Sequence, residues 1–164
     1  MSGTKTLAEL FETLPQTGQV EWIGVRPERR APIKVLESVE ADTETGLIGD
    51  RYAGRSGKRQ VTMIQFEHLA AMASMLGLEE LDPALLRRNI AISGINLLAL
   101  KDKQFSIGDA LLEYTELCHP CSFMEETFGA GGYNAVRGHG GIMARVIRPG
   151  TIRLLDKVSA SISN

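Results

Sequence analysis

Short β-forming runs, each closed off by glycine, proline or a polar turn, recur along this chain, and no long alternation of strand and helix separates them. Residues 20–25 (Val-Glu-Trp-Ile-Gly-Val) read as the first strand, since β-branched and aromatic side chains suit a pleated surface. A loop with Pro27 and Pro32 follows, because proline removes a backbone donor and biases its predecessor away from helix. Further strands are expected at 33–40, 60–64, 89–92, 104–108, 110–117, 142–148 and 151–158, with Gly94, Gly108-Asp109 and Pro149-Gly150 as turns. Helical spacing is clearest at 66–76, where Phe66, Leu69, Ala70, Ala73 and Leu76 share a face and Gly77 suits the C-cap. Leu7, Leu10, Phe11 and Leu14 predict a short docked helix near the start. Asp82-Pro83 predicts a third helix running to about Arg88, and residues 122–128 a fourth. The expected fold is mainly β with inserted helices, an antiparallel barrel over residues 20–158. Residues 1–19 form an N-terminal extension and 159–164 a frayed tail.

A net charge of −2 over 164 residues argues against a nucleic-acid coat or a polybasic membrane surface, both of which rest on excess positive charge. No apolar run approaches the ~20 residues of a membrane span, and the start lacks an apolar signal segment, so a cytoplasmic protein is expected. Two cysteines in a chain of this length do not make a disulfide scaffold. Arginines and lysines still cluster, at Arg26, Arg29, Arg30 and Lys34 and again at Arg51, Arg55, Lys58 and Arg59. Such clusters are solvated surface or a local anion pocket. The run from Gly46 to Gly54 holds three glycines and reads either as a ligand-approaching loop or as plain surface.

Both cysteines lie in Leu117-Cys118-His119-Pro120-Cys121, sixteen residues ahead of Arg137-Gly138-His139-Gly140-Gly141. A zinc site would need two more ligands, with His119 and His139 available. A thioredoxin-like pair belongs on an α/β fold. A buried structural pair is the third reading, and a single reactive thiolate at Cys121 the fourth. Local physics favours the fourth, since Pro120 ends a strand and a helix follows. Cys121 then sits at a helix N-terminus, where free amides and the helix dipole stabilise an anion. The glycines of the second run let amides turn towards an anion, and Arg137 adds a forked donor. Gly129-Ala130-Gly131-Gly132 does not open a helix after a strand and is no dinucleotide fingerprint. His68 reads as a packing or surface histidine, and Met63, Met72 and Met75 as core filler.

Taken in order, Gly49-Asp50-Arg51, Arg59-Gln60-Val61-Thr62-Met63-Ile64, Arg88-Asn89-Ile90, Pro120-Cys121 and Arg137-Gly138-His139-Gly140-Gly141-Ile142-Met143-Ala144-Arg145-Val146 resemble the MOSC domain family, named after the C-terminal part of molybdenum cofactor sulfurases. The resemblance covers roughly residues 20–158. It implies a closed or partly closed barrel of the pyruvate-kinase-barrel-like type. It implies that Cys121 is the reactive cysteine, either ligating molybdenum in the cofactor or carrying sulfur as a persulfide. Arg51, Arg59, Arg88, Asn89, Arg137, Gly138, His139, Gly140, Gly141 and Arg145 then surround the anionic molybdopterin. The implied activities are reduction of small N-hydroxylated compounds, fed by an iron–sulfur or flavin electron-transfer partner, or sulfur carriage from a cysteine desulfurase. Any pyridoxal phosphate belongs to that separate partner. A non-catalytic cofactor-delivery module is the alternative.

Overall fold

The computed structural model of the chain describes residues 3–51 and 57–161. Tyr52 to Ser56 of the glycine-rich loop, Arg55 of the second basic cluster included, and the last three tail positions lie outside the described residues. Eleven strands appear among the described residues: β1 (Gly18–Val25), β2 (Lys34–Leu36), β3 (Ser38–Asp42), β4 (Gly46–Leu47), β5 (Val61–Gln65), β6 (Ile90–Ser93), β7 (Gln104–Ile107), β8 (Ala110–Leu117), β9 (Ile142–Arg148), β10 (Gly150–Arg153) and β11 (Lys157–Ala160). Four α-helices accompany them: α1 (Leu7–Glu12), α2 (Phe66–Leu76), α3 (Ser122–Phe128) and α4 (Gly132–Val136).

The main sheet runs β11-β7-β8-β9-β5-β6-β1, and β1 pairs back onto β11 through Gly18↔Val158. Seven strands therefore close a barrel, and closure removes the open edges a sheet of this length would expose. Strand β2 hangs from β1, while β10, β3 and β4 form a small second sheet. Every pairing is antiparallel except β5–β6, which α2 connects as a crossover. Register shifts in β1 and β8 mark bulges, which sharpen the local twist that closure requires.

Alternation explains two cores. Val61 and Met63 of β5 and Ile90 and Ile92 of β6 point into the barrel with Phe105, Leu112 and Ala144. Ile64 and Ala91 point outward into a second cluster with Leu69, Met72 and Ala73 of α2 and Met124 of α3. Both faces of β5 are covered, so all five of its residues are buried. The two buried glutamines of this region are satisfied. The Gln65 amide donates to Ile95 O at 2.9 Å and accepts from Leu97 N at 2.9 Å. Gln60 accepts from Val146 N at 2.8 Å.

The barrel and the strands at 110–117 and 142–148 agree with the sequence reading, as does the helix at 122–128. Several elements differ. The expected strand 33–40 breaks at Glu37, where the chain leaves the barrel edge for the second sheet. The expected strand 151–158 also breaks in two. Asp156 Oδ2 accepts Arg153 N at 2.7 Å and Leu155 takes a left-handed φ of 70°, making a turn inside the run. Asp82 caps as expected, accepting Ala84 N, but the element is one 3-10 turn over Pro83–Leu86 that ends at Arg87 with φ 56°. The buried face of α2 includes Met72 in place of Phe66 and Ala70, because the helix packs on β5 and β6 through Leu69, Met72 and Ala73. Helix α1 has its capping box at Thr6 and Glu9, yet Leu7 and Phe11 are 65% and 64% exposed; only Leu14 packs on the core.

Candidate functional site: an arginine-lined cavity beside two cysteines

Strand β8 delivers the chain to Cys118, whose amide donates to Gly141 O at 2.9 Å. Pro120 follows, and Cys121 takes the extended conformation of an N-cap ahead of α3. Met124, 1% exposed, and Phe128 anchor that helix in the second core, which holds Cys121 at the rim. Cys121 is exposed, Cys118 half-buried, and neither is in a disulfide. The Cys121 side chain makes no capping hydrogen bond, so its sulfur stays available.

A cavity of about 720 Å³ opens beside this segment. Its wall contains Cys118, His119 and Cys121, Phe123 of α3, and seven arginines: Arg26, Arg29, Arg30, Arg51, Arg59, Arg87 and Arg88. Three of these are committed. Arg26 is bound to buried Asp50 through Nε–Oδ1 (3.1 Å) and Nη2–Oδ2 (2.8 Å). Arg30 makes an exposed ion pair with Glu126 at 3.2 Å. Arg88 is 7% exposed and donates to Gly140 O at 2.8 Å, Leu86 O at 2.9 Å and, at 3.4 Å, His119 O. It ties the cavity floor together.

The other four are not paired in this way. Among the described residues, Arg29, Arg51, Arg59 and Arg87 have no carboxylate partner. Arg87 is the most telling. Its Nη1 donates to Ala31 O at 2.6 Å, while its Nη2 is buried with no hydrogen-bond partner. Burial, then the charges of Arg26 and Arg51, push its pKa down, and Asp50 opposes them only in part. Its guanidinium lies 5.9 Å from the Phe123 ring centroid, with Arg30 at 5.5 Å from the same ring. Crowded like charges make this wall strongly positive, a potential that favours an anion.

The sequence-derived residues divide. Cys121, Arg51, Arg59 and Arg88 meet at this cavity. Asn89 does not line it; the residue is fully buried and bonds Thr62, Gly24 O and Asp50. Gly140 and Gly141 serve close backbone packing, since a Cβ on them would lie 2.0 Å from Cys118 O and 1.7 Å from Met63 O. Arg137 and Gly138 are exposed beyond α4, and Arg145 pairs with Glu113 at 2.9 Å on the barrel wall. His139 turns to His68, with 3.2 Å between their Nδ1 atoms, and not to the cysteines. Among the described residues no three of His, Cys, Asp and Glu cluster as metal ligands, which leaves the zinc reading without support. Backbone amides do turn to an anion at Gly131 and Tyr133, but it is the chain's own Glu125, held at 3.1 and 3.0 Å. Those bonds lower the Glu125 pKa and lock α3 to α4. Arg87 went unmarked in the sequence reading; its only signal was the Arg87-Arg88 pair closing a capped turn.

The family model for the MOSC domain matches residues 41–159. Among solved structures, the YuaD protein from Bacillus subtilis superposes with a TM-score of 0.72 at 20% identity, covering 93% of this chain and all of its own. YiiM from Geobacillus stearothermophilus gives 0.68 at 15% identity over 88% of this chain and 75% of its own. YiiM from Escherichia coli gives 0.68 at 17% identity over 89% and 71%. A search among curated proteins returned no match.

Proposed function

Because the chain belongs to the MOSC domain family, we propose that its arginine-lined cavity holds the phosphorylated pterin of the molybdenum cofactor, with Cys121 as the sulfur ligand. The observation that carries the proposal is the convergence on one cavity of an available thiol and four arginines without carboxylate partners. The donor set fits the group. A thiolate is a soft ligand for a transition metal, and planar guanidiniums pair with phosphate oxygens two bonds at a time. The buried Arg87 Nη2, without a partner among the described residues, is a donor that a bound anion would satisfy.

When bound, the cofactor supplies oxo-transfer chemistry for reducing a small N-hydroxylated compound, with electrons from an iron–sulfur or flavin partner. The chain's own residues bind and orient. Arg29, Arg51, Arg59 and Arg87 hold the anionic end, Arg88 braces the floor, and Phe123 gives the guanidiniums a flat apolar face. Glu116 is the carboxylate among the described residues of the wall, and its charge disfavours an anion at that end.

The test is the molybdenum and pterin content of protein purified from a host that makes the cofactor. Wild type should carry both in near-equal proportion to protein, and Cys121→Ser should lose at least about nine-tenths of the molybdenum. Molybdenum-free, pterin-free wild type would sink the reading. Arg87→Met keeps an unbranched apolar stem and removes the charge and the donors. It should weaken inorganic pyrophosphate binding about 10- to 100-fold, the worth of a charge-assisted hydrogen bond; isothermal titration of both proteins decides it.

The exposed, uncapped sulfur of Cys121 favours a second reading, carriage of sulfur as a persulfide delivered by a cysteine desulfurase. Cys118 then resolves it: its thiolate attacks the Cys121 sulfur, a disulfide forms and hydrosulfide leaves. A Cys118→Ser protein that releases sulfide as fast as wild type rules that step out.

A further inference from the structure

His68 on α2 and His139 in the turn after α4 form a pair that the cavity does not use. Their Nδ1 atoms are 3.2 Å apart, and the rings meet edge to face with centroids 4.8 Å apart. Both residues are half-buried. A nitrogen-to-nitrogen contact of this length needs one ring to donate and the other to accept, so at least one imidazole must be neutral at Nδ1. Two imidazoliums carry a proton on every ring nitrogen, and the contact becomes N–H against N–H.

The next two residues tie this pair to the cavity wall. Gly140 O accepts Arg88 Nε at 2.8 Å. Gly141 O accepts the Cys118 amide at 2.9 Å. Gly140 also packs so closely on Cys118 O that no side chain fits between them. The turn carrying His139 therefore holds both an arginine of the floor and one of the two cysteines, and α2 holds the turn through His68.

We propose that the His68–His139 pair is a proton-sensitive clasp that positions the Gly140–Gly141 turn, and through it Cys118 and Arg88. The functional consequence rests on the cavity reading above; the clasp itself does not, and it is measured without a ligand. Both histidines are positioning residues.

The charges around the pair set the direction. Burial lowers the His68 pKa most, and His139 lowers it further. Glu67, the neighbouring carboxylate on α2, opposes them, but it is engaged by Gly94 N and the Gln65 amide, each at 3.1 Å. On the other side, Arg137 is exposed two residues before His139, and the Arg88 guanidinium lies beyond Gly140 O. Both are cations and add no attraction for a proton. A histidine with a lowered folded pKa binds fewer protons than in the unfolded chain. The clasp's contribution is therefore complete above the unfolded value of about 6.5 and is lost as pH falls through the lower folded value of His68.

The amide of Cys118 reports the clasp directly, because it donates to Gly141 O of the turn. Hydrogen exchange by NMR, corrected for intrinsic rates, is compared at about pH 7.5 and about pH 5, either side of the ordinary histidine range. In wild type the Cys118 protection factor should fall about tenfold or more at the lower pH, as a local opening does. The Tyr114 amide, bonded to Lys103 O at 3.0 Å, should keep its protection. In His68→Gln the Cys118 value should be nearly the same at both pH values. Unchanged Cys118 protection in wild type, or an equal fall in His68→Gln, overturns the proposal. Should that variant not fold, ring 15N shifts of wild type decide: linked titration of the two histidines supports the clasp, and independent titration overturns it. If inorganic phosphate fails to bind at either pH while Cys118 protection still collapses, the clasp stands and the anion reading of the cavity falls.

Discussion

Gly141→Ala should destabilise the protein by about 4 kcal/mol or more, in the range reserved for named structural lesions. Two effects add. Gly141 has φ 87°, and an L-residue pays about 1–2 kcal/mol for left-handed backbone. A Cβ there would also lie 1.7 Å from Met63 O and 2.8 Å from Met63 C, both backbone atoms that cannot swing aside. The next residue, Ile142, pairs with Met63 of β5 and with Leu117 of β8, so relieving the clash means moving a three-strand junction of the barrel. In a domain of this size the loss corresponds to a fall in Tm of roughly 8–16 °C. Gly138→Ala is the control within the same motif: φ is 86°, but nothing lies within 4 Å of its Cβ. It should cost only the backbone term, about 1–2 kcal/mol. Thermal unfolding followed by circular dichroism compares them, and equal losses would mean that the approach to Met63 is not what demands glycine.

That contrast shows what the sequence could and could not say about the site. Glycine in Gly138-His139-Gly140-Gly141 was readable as a demand for unusual backbone, and the demand is there. Its reason was not readable, because a close pass between strands and a ligand loop both ask for a missing Cβ. Asn89 went the same way: the family resemblance placed it around the anion, yet it is a fully buried connector between Thr62, Gly24 and Asp50. Strands 110–117 and 142–148 were legible because each is one continuous partner in the barrel. The runs at 33–40 and 151–158 were not, because their breaks come from a change of sheet and a turn centred on Leu155 and Asp156. The place of Cys121 at a helix start was legible, since Pro120 ends a strand and a helix follows, and Cys121 is its N-cap. Arg87 was invisible, because an unpartnered buried nitrogen is a property of three dimensions.

Asp50→Ala should cost about 3–5 kcal/mol, the range for removing one partner of a buried ion pair. The Asp50 side chain is fully buried and that of Arg26 is 17% exposed. Oδ1 accepts Arg26 N at 2.7 Å, Arg26 Nε at 3.1 Å and Asn89 Nδ2 at 3.2 Å, and Oδ2 accepts Arg26 Nη2 at 2.8 Å. Burial by itself would raise the Asp50 pKa, but the Arg26 hydrogen bonds and charge, with Asn89, outweigh it and hold the carboxyl below the usual value. A lowered folded pKa means the unfolded chain binds more protons in acid. The stabilisation is therefore complete above the unfolded value of about 3.9 and is lost as pH falls through the lower folded value. Denaturant unfolding of wild type and Asp50→Ala from pH 7 down to about pH 3 should show their gap narrowing only in the most acidic samples. A gap that stays constant to the lowest pH would mean the carboxylate's charge contributes nothing and its loss acts through packing alone. The same pair divides the cavity's arginines. Arg26 lines the wall, but Asp50 neutralises it and fixes its backbone beside Arg51, whose amide donates to Arg26 O at 2.7 Å. Asp50 thus spends one arginine to position another, and its removal should weaken pyrophosphate binding even though it adds a free positive charge.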